Sequence, residues 1–242
     1  MTDISRNGAP LIGLTVEVLE PPVYSGRRRY QLFTDYLDCL REAGGVPLLL
    51  PSDASPQERE HWLEILDGIL FTGGDDIDLR PLGGPEPPPE CKPIPPAKQK
   101  FDLALVRTAC RRKVPFFGVC MGMQMLGLAH EAPYIQHLPT SEGHEKGILH
   151  PVRAVPGTRL AALVGTGPFR VSSFHHQALG APGSLAAGAW AQDGVLEAVE
   201  RDDLPFALGV QWHPERLPES SETRALFSGF VQAALDYRRL RR

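Results

Sequence analysis

Between Val114 and Ala129 an apolar run ends in Gly118-Val119-Cys120-Met121-Gly122 and passes at once into a helical pattern, a succession that few folds accommodate. Val114 to Val119, interrupted only by Pro115, reads as a short buried strand, and Met123 to Ala129 as the helix that follows. A side chain carried on so sharp a strand-to-helix turn needs small neighbours, because the backbone is strained and its flanks pack closely. Such a turn lifts the Cys120 sulfur above a sheet edge. It also aims it at the free N–H groups of the next helix, which favour a thiolate and an oxyanion. An isolated cysteine is most often a packed core thiol; the flanking glycines outweigh that reading here.

The rest of the chain repeats the rhythm. Strands are expected at Pro10 to Val16, Gly45 to Leu50 and Gly68 to Phe71, the last ending in Thr72-Gly73-Gly74. Helical spacing covers Arg29 to Ala43, Glu58 to Leu66 and Phe101 to Arg112. Alternation of this kind predicts an α/β fold of flavodoxin-like type, a mostly parallel central sheet with helices on both faces. Ligands in such sheets bind outside the carboxyl ends of the strands, so Gly73-Gly74 and Cys120 should meet there.

After about residue 148 the pieces become shorter and β-rich: Val152 to Val155, Phe169 to Val171, Ala187 to Ala191, Val195 to Val199 and Ala207 to Gln211. A small antiparallel addition in the C-terminal half is expected, then a return to the main sheet. Ser221 to Arg239 closes the chain as an amphipathic helix with Phe227, Phe230, Val231, Ala234 and Leu235 inward. Arg80 to Ala97 holds eight prolines and is excluded from helix and central strand. It reads either as a surface insertion or as a flap over the site.

At 242 residues the chain suits one domain, 1–242. A net charge of −4 supplies no basic field for nucleic acid. Met1 to Pro10 lacks the apolar core of a signal peptide, and no apolar run reaches the length of a membrane span, so no membrane partner and a cytoplasmic location are expected. Cys39, Cys91, Cys110 and Cys120 are too scattered for a disulfide framework or a zinc cage. Cys39 should be packed and Cys91 exposed, and the Arg238 to Arg242 tail a solvated helix end. Asp75, Asp76 and Asp78 read as a solvated turn, and no metal is expected.

Near the far end, Gln211-Trp212-His213-Pro214-Glu215 follows a strand. Spacing of i, i+2 puts His213 and Glu215 on one side of the backbone. Glu215 can then accept from one imidazole nitrogen while the other faces a nucleophile, the logic of a catalytic triad with cysteine in place of serine.

Thr72-Gly73-Gly74, Gly118-Val119-Cys120-Met121-Gly122-Met123-Gln124, Ser173-Phe174-His175-His176-Gln177 and Gln211-Trp212-His213-Pro214-Glu215 together resemble class I glutamine amidotransferase-type hydrolases. Within that group the chain is most similar to the γ-glutamyl-γ-aminobutyrate hydrolase family, peptidase C26. Phe174-His175-His176-Gln177, followed by Asp193-Gly194-Val195-Leu196-Glu197-Ala198, points to that branch.

The resemblance implies a hydrolase of γ-glutamyl amides working through a thioester. Cys120 is the implied nucleophile, His213 the proton carrier and Glu215 its orienting group. The backbone N–H groups of Gly74 and Met121 form the implied oxyanion hole. Gly73, Gln124, Ser173, Phe174, His175 and His176 are the implied substrate contacts, with a structural alternative for the two histidines. No metal or organic cofactor is implied, the partner is a small γ-glutamyl substrate, and a homodimer is left open. Two other readings are a glutaminase subunit delivering ammonia to a separate synthetase and a non-catalytic regulator binding γ-glutamyl ligands. The chain departs from the family pattern at Met121, Gly127, Glu131-Ala132 and Lys98 to Asp102. Those departures leave the leaving amine undefined.

Overall fold

The computed structural model describes residues 8–22 and 26–241. Most of the Met1 to Pro10 stretch, and Arg242 of the basic tail, lie outside the described residues. The chain runs β1 (Leu11–Thr15), β2 (Glu17–Leu19), β3 (Arg29–Gln31), α1 (Thr34–Glu42), β4 (Val46–Leu50), α2 (Pro56–Ile65) and β5 (Gly68–Phe71). Then come α3 (Pro96–Arg111), β6 (Phe116–Val119), α4 (Met121–Ala129), β7 (Tyr134–Ile135), β8 (Ile148–Ala154) and α5 (Arg159–Val164). The last elements are β9 (Pro168–Ser173), β10 (Ala178–Leu179), β11 (Ala186–Ala191), β12 (Leu196–Glu200), β13 (Ala207–Val210) and α6 (Ser221–Leu240).

One nine-stranded sheet has the order β4-β1-β5-β6-β13-β12-β11-β8-β9. From β4 to β13 every pairing is parallel; from β13 to β9 every pairing is antiparallel. The fold is thus the expected mostly parallel α/β architecture, with the antiparallel strands continuing the same sheet. β13, the last strand in the chain, returns to lie beside β6, pairing Gly209 with Gly118 and Val210 with Val119. That return brings His213 from the far end of the sequence to the Cys120 turn.

Strand alternation sends successive side chains to two cores. On one face Ile69, Phe71 and Phe116 pack with α2, α3 and α4; on the other Leu70, Phe117 and Val119 pack with α1, α5 and α6. Phe117 meets Phe227 edge-on at 5.5 Å and Phe230 at 5.8 Å, which seats α6 under the parallel strands. Among the described residues no helix is long and apolar enough to cross a membrane.

Several local expectations give way to tertiary contacts. Arg29 to Gln31 is strand, not helix, because it pairs in register with Glu17 to Leu19; α1 starts only at Thr34. The proline-rich segment does contain helix at its ends: a 3-10 turn at Arg80–Leu82, and the first two residues of α3, where Pro96 fits because an N1 residue needs no N–H partner. In between, the segment is strapped to Asp76 by Lys92 N–H to Asp76 Oδ2 at 2.7 Å and Ile94 N–H to Asp76 O at 2.9 Å. Cys91 is half-buried rather than exposed, its thiol 3.6 Å from the Gln136 carbonyl. The basic tail is not simply solvated: Arg238 caps the Gly8 and Ala9 carbonyls, and Arg241 reaches Leu63 O, Glu64 O and Asp67. Leu235 is only half-buried.

Candidate active site

Cys120 sits between β6 and α4 with φ 51° and ψ −109°, a conformation L-residues rarely adopt. The surroundings hold it there. Its N–H donates to Val210 O at 2.7 Å and its carbonyl accepts from Gln124 N–H at 3.1 Å. A Cβ on Gly118 would stand 2.6 Å from the Gly122 carbonyl carbon, and one on Gly122 would stand 2.5 Å from Phe71 O. The Gly-x-Cys-x-Gly pattern is therefore a steric requirement of bringing β5, β6 and α4 so close together. The thiol is 5% exposed. It faces the carboxyl edge of the parallel strands and accepts from Gln211 Nε2 at 3.6 Å.

His213 arrives one residue beyond Trp212, its N–H held by Ser172 O at 2.9 Å. Its Nδ1 lies 2.7 Å from Glu215 Oε1, and Glu215 is fully buried, with Oε2 free of any hydrogen-bond partner among the described residues. Burial alone would drive the imidazole toward its neutral form. The Glu215 carboxylate and then the Cys120 sulfur more than offset this and hold the His213 pKa at about 10. Cys120 and His213–Glu215 thus form one unit, with an imidazolium beside the Cys120 sulfur.

Two groups that sequence reasoning did not single out stand beside the unit. Tyr36, within the stretch of helical spacing from Arg29 to Ala43, puts its hydroxyl 3.4 Å from His213 Nδ1 and accepts the Gly73 N–H at 3.1 Å. Burial, followed by the Glu215 charge, raises its pKa well above 10, so the hydroxyl stays protonated. A Cβ on Gly73 would stand 2.7 Å from His213 Cε1, so only glycine lets the β5 turn approach the ring. Arg216 lies over the Phe33 ring at 4.3 Å and within 3.0 Å of Asp35. No local pattern announces either residue, since each acts through partners distant in sequence.

A cleft of about 310 Å³ opens in front of His213, lined by Glu17, Tyr36, Gly73, Gly74, Phe174 and Arg216 among others. Phe174 stands edge-on to His213 at 5.5 Å, half exposed on the cleft wall. A second depression of about 320 Å³ shares Gly74, Asp75 and Phe174 with the first. It is walled by Asp76, Glu145, His137 and His176, together with Glu90 and Lys92 from the proline-rich segment. Gly74 lines both hollows, and the buried Met121 lies against it, its Cε 3.0 Å from where a Cβ on Gly74 would stand.

Three of the expected substrate contacts are directed elsewhere. Gln124 is buried and spends its amide on Gln177 O, Gln211 Oε1 and the Tyr134 hydroxyl, beneath the Cys120 turn. Ser173 is buried with its hydroxyl 2.7 Å from His150 Nε2, and His175 is buried against Glu197. Gln124 points below the site from α4, and alternation carried past the end of β9 sends Ser173 and His175 inward and Phe174 outward. His176 reaches the second depression, where Nε2 lies 2.8 Å from Asp76 Oδ1. Gly73 and Phe174 line the cleft itself.

A model of the peptidase C26 family matches residues 10–215. The chain is 36% identical over 239 residues to a candidate glutamine amidotransferase of Mycobacterium tuberculosis, covering 94% of this chain and 76% of that protein. It is 32% identical over 255 residues to the γ-glutamyl-γ-aminobutyrate hydrolase PuuD of Escherichia coli, covering 96% of each. Among solved structures, the glutaminase domain of Trypanosoma brucei CTPS with bound acivicin superposes with a TM-score of 0.68 at 16% identity, covering 94% of both chains.

Proposed function

The chain belongs to the peptidase C26 family, and from that premise we propose that it is a cysteine-dependent hydrolase of γ-glutamyl amides, with the 1–242 chain acting as one catalytic domain. The observation that carries the reading is the strained Cys120 turn placed beside the His213–Glu215 pair by the β6–β13 pairing.

In this reading Cys120 Sγ attacks the γ-carbonyl carbon, and the developing oxyanion accepts from the Gly74 and Met121 N–H groups. The His213 imidazolium gives its proton to the departing nitrogen, the C–N bond breaks and a γ-glutamyl thioester remains. Water then attacks the thioester carbon while neutral His213 takes its proton. The C–S bond breaks, glutamate leaves, and the thiolate–imidazolium pair is restored. Glu215 orients His213 and stabilises its charged form. Arg216 and Glu17, which line the cleft, suit the α-carboxylate and α-amino groups of the glutamyl half.

The test is to incubate the full chain with glutamine and a panel of γ-glutamyl amides, and to quantify released glutamate. Release from γ-glutamyl amides that disappears in Cys120→Ala supports the proposal. Release from glutamine alone transfers the chain to the glutaminase reading, and no release from any compound with the fold intact favours a binding protein.

A further inference from the structure

Beneath the cleft His144, His175 and Glu197 converge, with exposures of 2%, 4% and 0%. His144 follows the 3-10 turn at Ser141–Gly143, His175 follows β9 and Glu197 lies on β12. One ligand-capable atom from each falls within 4.8 Å of the others. His144 Nδ1 is 3.1 Å and His175 Nε2 is 3.6 Å from Glu197 Oε1. At these separations hydrogen bonds would be expected. Yet His144 Nδ1, His175 Nε2 and both Glu197 oxygens have no hydrogen-bond partner among the described residues.

The far ring nitrogens explain why. His144 Nε2 lies 3.0 Å from Asp193 Oδ2, and His175 Nδ1 lies 3.1 Å from the Gln177 carbonyl. Each of those nitrogens faces an acceptor and so carries its ring's proton. With both rings neutral, two nitrogen lone pairs and the Glu197 carboxylate share one buried space, an arrangement that needs positive charge at its centre. Without an ion that charge falls to His144, whose pKa burial lowers but Glu197 and Asp193 more than restore, raising it; a bound metal ion supplies it with both rings neutral.

We propose that His144, His175 and Glu197 form a structural site for a divalent transition metal ion, zinc by the chemistry of its donors. Metal–ligand distances of about 2.0–2.2 Å place tetrahedral ligands about 3.3–3.6 Å apart, close to the 3.1 and 3.6 Å that separate the two ring nitrogens from Glu197 Oε1. Two imidazoles and a carboxylate suit a borderline ion. The Asp193 and Gln177 contacts are the outer hydrogen bonds that hold metal-bound histidines in the ligating tautomer. The ion's two charges balance Glu197 and Asp193. His150 Nε2, 3.6 Å from the same Glu197 oxygen but bonded to Ser173 Oγ at 2.7 Å, is the fourth donor within reach. The half-buried Asp76, Cys91 and His176 group is different: its members already bond to each other or to neighbours. A bound ion would tie β12 to the end of β9, whose Ser172 carbonyl holds the His213 N–H. The site does not depend on the hydrolytic reading.

The test uses the full chain, stripped with a chelator and then reloaded with zinc chloride or cobalt(II) chloride. Expected are one equivalent of zinc by elemental analysis, a Tm raised by several degrees and the visible absorption of low-symmetry cobalt(II). His175→Gln should lose all three, and His176→Gln should keep them. Should His175→Gln fail to fold, the wild-type titration and His144→Gln decide. Failure of the wild-type chain to retain zinc or gain Tm would overturn the proposal. So would binding abolished by His176→Gln, or imidazole NMR signals of His144 and His175 unaltered by zinc.

Discussion

Replacing Glu215 by glutamine keeps the side chain's shape and removes its charge, so it isolates what the carboxylate does for His213. The carboxylate lies 2.7 Å from Nδ1 and is fully buried, and it is the largest influence raising the His213 pKa to about 10 against the opposing effect of burial. Without it burial pushes the imidazole back toward neutrality, and each pKa unit lost corresponds to about 1.4 kcal/mol of lost preference for the imidazolium. A glutamine amide can also donate to Nδ1, turning the ring to the tautomer whose Nε2 cannot take a proton. Removing the orienting carboxylate of comparable triads costs about 10⁴ in turnover, whereas removing the nucleophile or base costs about 10⁶. Glu215→Gln should therefore lower kcat/KM for a γ-glutamyl anilide by about 10³–10⁴, and His213→Ala by one to two further decades. The direction with pH follows. A raised folded pKa gives stability that is complete below the ordinary histidine value of 6.5 and fades as pH rises through about 10. The alkaline limb of kcat/KM should move from near 10 toward neutrality in Glu215→Gln, followed by stopped-flow acylation across pH. Equal losses in the two variants, or an alkaline limb that does not move, would refute the assignment of Glu215 as the orienting and charge-stabilising group.

Other outcomes follow from the same structure. Burial holds the Cys39 thiol at about 12 and the Cys110 thiol at about 11, so limiting iodoacetamide at pH 7 should label Cys120 first, read by peptide mass mapping. Lys98 and Asp102 form an ion pair at 2.6 Å with both side chains almost wholly buried, so Lys98→Met, which strands the carboxylate, should cost about 3–5 kcal/mol in urea unfolding, while Lys98→Met with Asp102→Leu recovers most of it. Asp75, Asp76, Glu90 and Glu145 outnumber Lys92 around the depression beside the cleft, so γ-glutamyl conjugates of cationic amines should be hydrolysed faster than conjugates of amino acids. Asp75→Asn should narrow that ratio, and an unchanged ranking would remove this wall from substrate selection.

Where the sequence alone sufficed, the constraint was local. The glycines around Cys120 are dictated by close backbone approaches at the strand-to-helix turn, and uninterrupted apolar runs placed β5 and β6 correctly because burial on both faces leaves that mark on each strand. His213 and Glu215 were readable as a pair, but the 3-10 turn at Pro214–Arg216, not strand alternation, brings Glu215 Oε1 to 2.7 Å from His213 Nδ1. Tertiary structure decided the rest. Arg29 to Gln31 carries helical spacing, yet the ladder to Glu17–Leu19 makes it strand. Gln124, Ser173 and His175 fall in two motifs that suggest substrate contact, but helix and strand phase relative to neighbouring elements turns them inward to Gln177, His150 and Glu197. Tyr36 and Arg216 reach the site only because β1, β5, β6 and β13 stack their carboxyl ends side by side, a juxtaposition of residues up to 177 apart that no local pattern encodes.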